Sequence, residues 1–494
     1  MLLHINKSSD RSVFDQLISQ IRTLIDEGTI EEGFRMPSTR QLAGSLGVNR
    51  TTIVRVYEEL WALGYLESNT GSYTRVRRRK EIRQASVVAG TIDDPAMGLF
   101  ESCNRCPTDR MDRYAQLMTE PLPGVIDFYH LVPDPRLIDR KMMATCFREV
   151  LTDTSFNVFG YNHPRGYPPL RQVIKNHMEL HSIHASDDNI LITNGSQSSL
   201  QLIFQSFARP GDTIAIEAPT YAMLFPLVRY YRLNVVEVAA TPSGPDLEEL
   251  RRQAAQGLIR FVYVTPTFQN PTGATMPQQN REELLILCEQ HRIILIEDSI
   301  EEEMKYFGRV HLPIKSMDRH DHVIYLGSFS KVLAPGLRTA WVIASSDCIR
   351  KMTAVKTMTD LTSNTLSQAM LYRFCRLGYY ELHLRRMMRI FRRRMKTALK
   401  SLKSHMPPGI VRWDEPLGGF LIWLEIHTQP PVDTEGWFQQ HGVRITDGSL
   451  FYFTPSEGFR IRISISKCND MEIETGIRRI GEAINKLEKT TNSD

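Results

Sequence analysis

From Val13 onward, apolar residues recur at Leu17, Ile18, Ile21, Leu24 and Ile25, the stripe of a helix that buries one face, and Gly28 supplies its stop. After the turn EEGFRMP, Ser38 is placed to cap a short helix, TRQLAGSL, that ends at Gly47. A further helix is expected from about Asn49, its cap, to Leu63, with Val56, Leu60 and Leu63 facing the core. Two short helices around a glycine turn have the sequence form of a helix-turn-helix. The stretch GYLESNTGSYTRV then has the alternation and turn glycine of a two-stranded wing, followed by the run Arg77-Arg78-Arg79-Lys80, equally compatible with a phosphate track and with a solvated face.

The pattern then changes twice. Residues from about 81 to 120 show no sustained periodicity and are rich in turn formers, which reads as a linker. Beyond Val125, short apolar runs alternate with amphipathic helical stretches: ILITNG, TIAIEAP, IRFVYVTP, IILIEDS, VIYLGSFS and RTAWVIAS. Strands this apolar are covered on both faces, so an α/β sheet with many parallel strands is expected. The resulting boundaries are 1–80, a linker over 81–120, a large domain over 121–485 and a polar tail over 486–494.

Composition adds limits. A chain of 494 residues with 42% apolar content is expected to form more than one core. The formal net charge is only +4, so binding of a polyanion requires a local basic patch. Of seven scattered cysteines, only Cys103 and Cys106 have metal-like spacing, and no second CxxC pair completes a zinc site, so no metal is expected. The thiols read as reduced, the N-terminus lacks the apolar core of a signal peptide, and no apolar run approaches a membrane span of roughly 18 residues. A cytoplasmic protein without membrane attachment is the expectation.

In parallel sheets ligands bind at the carboxyl ends of strands, and there the chemistry is coherent. After LIT comes Asn194-Gly195-Ser196-Gln197, a glycine turn opening a helix, which suits an anion. After TIAIE come Ala218-Pro219-Thr220 and the aromatic face of Tyr221; after FVYVT comes PTFQNPTG with Asn270; after IILIE comes Asp298. After VIYLG come Ser328-Phe329-Ser330-Lys331 and, seven residues on, Arg338. A pyridine cofactor bearing an aldehyde and a phosphate needs an amine to condense with, a carboxylate for its ring nitrogen, a stacked ring and phosphate donors. All four occur at successive strand ends.

The words PSTRQLAGSLGVNRTTIVRVYEELWALGYLES resemble the winged helix of the GntR superfamily over about residues 11 to 76. That resemblance implies DNA contacts from Arg40, Arg50, Thr51, Thr52 and the wing near Gly71; Tyr73 stands where such wings usually carry a second glycine. Residues from about 125 to 485 resemble a fold-type I aminotransferase, with a smaller C-terminal α+β subdomain. The resemblance implies pyridoxal 5'-phosphate condensed with Lys331, Asp298 on its ring nitrogen, Asn270 on its phenolic oxygen and Tyr221 stacked on the ring. Ser196, Gln197, Ser328 and Arg338 would hold the phosphate. Tyr161 matches a tyrosine that reaches the neighbouring subunit's phosphate, implying a homodimer, and Arg462 matches the arginine that pairs with a ligand carboxylate. Arg460, two residues away on the same face, leaves a structural role for Arg462 open.

One departure is visible. Relatives carry an EDD-type motif followed by a tyrosine, whereas this chain reads Glu297-Asp298-Ser299-Ile300-Glu301. Either Glu301 faces the cofactor, with its pKa raised by burial, or it turns to solvent and Tyr306 or a water serves instead. The whole chain resembles the MocR/GabR-type transcriptional regulators, which implies an operator in double-stranded DNA and an effector that is pyridoxal phosphate, an amine or an amino acid. A working aminotransferase with a DNA-binding appendage is the alternative.

Overall fold

In the computed structural model of the chain, Ser12, Ser38 and Asn49 each turn a side-chain oxygen onto a backbone N–H and start the first three helices, α1 (Val13–Asp26), α2 (Thr39–Leu46) and α3 (Arg50–Ala62). At Ser38 the cap is reciprocal, with the Gln41 side chain returning to the Ser38 backbone. Gly47 ends α2 in the left-handed conformation that glycine adopts without strain. Strands β1 (Leu66–Glu67) and β2 (Arg75–Val76) pair antiparallel as the wing. Leu17, Ile21, Ile53, Val56 and Leu60 are fully buried in a core of their own. Leu63, expected in that core, is 44% exposed, because it is the residue that caps α3 and the helix has already turned away from its partners.

The structure describes residues 3–6, 11–67, 73–77, 122–154, 157–308 and 311–491. The expectations for Gly71, the run 78–80, Cys103, Cys106 and the linker lie outside these residues. The chain divides into two units, Met1–Phe100 and Glu101–Asp494.

In the second unit, β3 (Ile126–Asp127) precedes helix α4 (Pro168–Glu179), and the large sheet follows. Its strands are β4 (Ile190–Thr193), β5 (Thr213–Ala218), β6 (Asn234–Thr241), β7 (Gly244–Pro245), β8 (Ile259–Val264), β9 (Ile294–Asp298), β10 (Val323–Ser328) and β11 (Ala340–Ile343). They are ordered β4-β11-β10-β9-β8-β5-β6-β7. The run from β10 through β9, β8 and β5 to β6 is parallel, whereas β11 lies antiparallel to both β10 and β4. Successive side chains of a strand enter different cores: Ile214 and Ile216 pack in one, Ala215 in another. That two-sided burial explains the continuous apolar runs.

The C-terminal part adds β12 (Val411–Arg412), β13 (Leu421–Ile426), β14 (Val443–Arg444), β15 (Thr446–Asp447) and β16 (Phe459–Ser464). The sheet β12-β13-β16-β15 is antiparallel, and β14 pairs in parallel with β3. A final helix over Asp470–Thr491 runs into the segment read as a tail, because Ile473, Ile477, Ile480, Ile484 and Leu487 keep a helical apolar stripe to that point.

Candidate functional site

Strands β4, β9 and β10 deliver their last residues to one edge of the sheet. Thr193 and Ser328 both lie opposite Ala340 of β11, and Asp298 lies opposite Leu326 of β10. The residues that follow these ends build the site.

Lys331 follows β10 by three residues, and its Nζ donates to the Leu131 carbonyl at 2.8 Å. Burial lowers its pKa from the ordinary lysine value; Glu301 and Asp298 oppose that shift, whereas Arg462 and Arg338 add to it. A buried amine that loses its proton more readily is a better nucleophile toward an aldehyde. Asp298 is buried at the end of β9; its Oδ2 accepts from Tyr263 Oη at 2.7 Å, and its Oδ1 has no partner. Burial pushes this carboxyl up to about 6. An unpartnered buried oxygen beside a nucleophilic lysine fits a protonated ring nitrogen.

A candidate phosphate cradle lies at the end of β4. Gly195 caps helix α5 (Ser196–Phe207) with φ 103°, and the Arg338 guanidinium occupies the place a Cβ at Gly195 would take. Arg338 Nη2 donates to the Asn194 carbonyl at 2.9 Å. Ser196 and Gln197 thus present first-turn N–H groups beside an arginine, a setting for a dianion. The Gln197 side chain is used elsewhere: its Oε1 accepts from Tyr221 Oη at 3.2 Å and its Nε2 donates to the Met223 carbonyl at 2.9 Å. It fixes the Tyr221 ring and leaves its backbone N–H for an anion. Ser328 Oγ accepts from the Ser330 N–H at 3.0 Å, and the buried Ser330 hydroxyl has no partner.

Arg462 on β16 closes the site from the C-terminal sheet. Its Nη1 donates to Asn270 Oδ1 at 3.1 Å, and its Nη2 donates to the Tyr129 carbonyl at 2.7 Å and to Thr446 Oγ1 at 3.0 Å. Burial lowers its pKa to about 10. Arg460 instead donates to the Glu457 carbonyl on an exposed edge, so the two arginines of one strand face do different work. With Oδ1 taken by Arg462, the Asn270 amide offers Nδ2 as a donor.

Glu301 does not turn to solvent. It is 2% exposed, and neither of its carboxylate oxygens has a hydrogen-bond partner. The tertiary reason is Gly419 of the C-terminal part, whose missing side chain lets the chain pass beside Glu301 Oε2. Burial raises Glu301 to about 7, against the pull of Lys331 and Arg462. Tyr306 is also buried, with its hydroxyl unpartnered. Tyr263, which orients Asp298, and the Leu131 carbonyl, which holds Lys331, went unseen in the sequence: the first reads as one more apolar strand residue, and the second is backbone. Tyr161 is 86% exposed within a single chain, unlike the buried Asp298, Glu301 and Arg462.

In the first unit, Arg40, Arg50 and Thr51 are exposed and Thr52 is partly buried. The Thr51 N–H and hydroxyl both reach Asn49 Oδ1, at 3.0 and 2.9 Å, so Thr51 reinforces the cap of α3. The Tyr57 hydroxyl donates to the Pro37 carbonyl at 2.8 Å, which ties α3 to the turn before α2. Arg35 stacks on Tyr73, the residue that stands where such wings usually carry a second glycine.

Sheet, lysine, carboxylate and phosphate cradle define a pyridoxal-phosphate site of the fold-type I class, and the same chain carries a winged helix. Residues 141–480 match the family Aminotransferase class I and II, and residues 14–76 match the gntR family of bacterial regulatory proteins. The chain belongs to the aminotransferase class I and II family and has the two-domain order of MocR-type regulators. Aromatic-amino-acid aminotransferase 1 of Thermococcus litoralis is 33% identical to it over 72% of this chain and 86% of the relative. The HTH-type transcriptional regulator YdcR of Escherichia coli is 31% identical over 89% of this chain and 92% of the relative. Kynurenine aminotransferase of Pyrococcus horikoshii, solved in complex with PMP, superposes with a TM-score of 0.71 at 30% identity, covering 76% of this chain and 94% of that one. No described helix is long and apolar enough to cross a membrane.

Proposed function

We propose that this chain is a pyridoxal-phosphate-dependent transcriptional regulator, in which the aminotransferase-like domain senses the cofactor, an amine or an amino acid and the winged helix binds an operator. The observation that carries the reading is the pairing of a reactive, charge-balanced lysine site with an exposed recognition helix in one chain. Bound pyridoxal phosphate supplies an aldehyde for amine exchange and a ring that withdraws electrons. Lys331 offers the amine, Asp298 holds a proton at the ring nitrogen, Asn270 donates to the phenolic oxygen, and Arg338 with the first turn of α5 takes the phosphate. Arg462 is the partner for an effector carboxylate, which would replace one of its present acceptors.

Glu301 argues for sensing over turnover. At the position where relatives carry a phenol donor, it puts a second carboxyl beside Asp298, disfavouring negative charge on the ring side of the site. We further propose that the protein acts in the cytoplasm as a homodimer. Tyr161 and Phe159, 86% and 80% exposed, are aromatic side chains that such an interface would cover. Coupling follows if the effector binds one arrangement of the two subunits better than another.

The second reading, an aminotransferase with an appendage, is favoured by the similarity to Aromatic-amino-acid aminotransferase 1. Footprinting upstream of the protein's own gene, with and without pyridoxal phosphate and candidate amines, tests the first reading. An effector-dependent footprint without multiple turnovers on amino-acid and oxo-acid pairs supports it; many turnovers per site with an effector-blind footprint support the second.

A further inference from the structure

Away from the cofactor site, helix α4 presents His177 near its end, and the turn that follows the helix carries His181, whose ring centroid lies 5.2 Å from that of His177. The turn after β9 brings Glu303 against both. His177 Nε2 lies 2.6 Å and His181 Nε2 lies 3.1 Å from Glu303 Oε1. One donor atom from each of the three residues falls within 4.8 Å of the other two. A tetrahedral zinc site, with bonds of about 2.0–2.2 Å to nitrogen and oxygen, places its donor atoms roughly 3.3 Å apart. The two histidine-to-Glu303 separations therefore lie within about 1 Å of the spacing an ion requires.

A further feature separates this cluster from a surface ion pair. His181 Nδ1 faces Glu302 Oε1 at 3.5 Å. That carboxylate is itself fixed by Tyr325 Oη at 3.0 Å and Lys305 Nζ at 3.1 Å. A carboxylate behind a ligating imidazole sets its tautomer and raises its basicity, a recurring element of zinc sites. Glu302 and Glu303 are both largely withdrawn from water, so the pocket calls for positive charge. His177 also lines an open cleft of about 250 Å³ with Leu180, Phe329, Trp341, Tyr380 and Glu381.

We propose that His177, His181 and Glu303 bind a divalent transition-metal ion of the zinc class, with water from the cleft as fourth ligand. The ion would fasten α4 to the turn that carries Glu301, within the segment that follows Asp298.

The test uses the full chain saturated with pyridoxal phosphate, stripped of metal and titrated with Co²⁺ and then Zn²⁺. Wild-type protein is expected to bind one more equivalent than His177→Asn/His181→Asn, to show the intense visible absorption of four-coordinate Co²⁺, and to lose it on Zn²⁺ addition. Its melting temperature should rise with Zn²⁺ while that of the double variant does not. Glu303→Gln, which keeps the hydrogen-bonding shape, should bind at least about tenfold more weakly, as expected for loss of a charged ligand. Equal stoichiometry in wild type and variants that retain the cofactor spectrum, or only weak six-coordinate Co²⁺, overturns the proposal. Such a result leaves the regulator reading untouched, since neither histidine contributes to that site.

Discussion

The recognition helix and the strand-end site handle charge in opposite ways. Arg40 and Arg50 stand exposed, available to phosphates and bases and screened by salt, whereas Asp298, Glu301 and Arg462 are nearly inaccessible to water. An exposed charge contributes little by itself and acts by addition to others. A buried one shifts its neighbours' protonation and cannot be removed without leaving a partner uncompensated. The comparison teaches that input to this protein should be sharp and pH-dependent, and output graded and salt-dependent.

The largest expected effect breaks the buried side alone. Lys331→Ala should abolish covalent cofactor retention after borohydride reduction, read by peptide mapping, while leaving the winged helix folded. Next, Asp298→Asn should weaken pyridoxal-phosphate binding about 10- to 100-fold, the scale of a lost charged hydrogen bond, in a fluorescence titration. A change below threefold would remove the ring-nitrogen assignment. On the exposed side, Arg50→Ala should weaken operator binding by about 1–3 kcal/mol and flatten its salt dependence; unchanged affinity at matched salt would dismiss α3 as the reading helix.

The smallest effect sharpens the contrast. Glu301 is held at about 7, above the ordinary glutamate value of 4.5, so the folded cofactor-free chain retains this proton longer than the unfolded chain. The stability linked to that proton is complete below the unfolded value and is lost as pH rises through about 7. Glu301→Gln cannot ionise, so its melting temperature relative to wild type should climb between pH 5 and pH 8. A pH-independent difference would show that Glu301 carries no burial penalty.

Much of this was readable in the chain because the signals are local. Ser38 with Gln41, Gly47 and Asn49 specify helix ends through contacts a few residues apart, and the apolar runs specify two-sided strands. Leu63 misled because periodicity continued past the point where α3 lost its packing partners. The direction of β11 was not legible, since an antiparallel strand with both faces covered has the same apolar run as a parallel one. Which group of Gln197 is free for an anion was not legible, because only the fold shows its side chain committed to Tyr221 and Met223. The histidines of HMELH are visible at helical spacing, yet Glu303 is 126 residues beyond His177, a separation that pattern reading does not bridge.

By itself the sequence determined the order of the two domains, the strand ends and the candidacy of Lys331, Asp298 and Asn270, because backbone preference and side-chain chemistry are properties of short stretches. Only the tertiary structure decided that Glu301 faces inward, that Arg462 rather than Arg460 enters the site, and that Asp298 keeps one oxygen unpaired. Those outcomes depend on which distant segments exclude water from a carboxyl or guanidinium group, and burial of that kind is a property of the assembled fold.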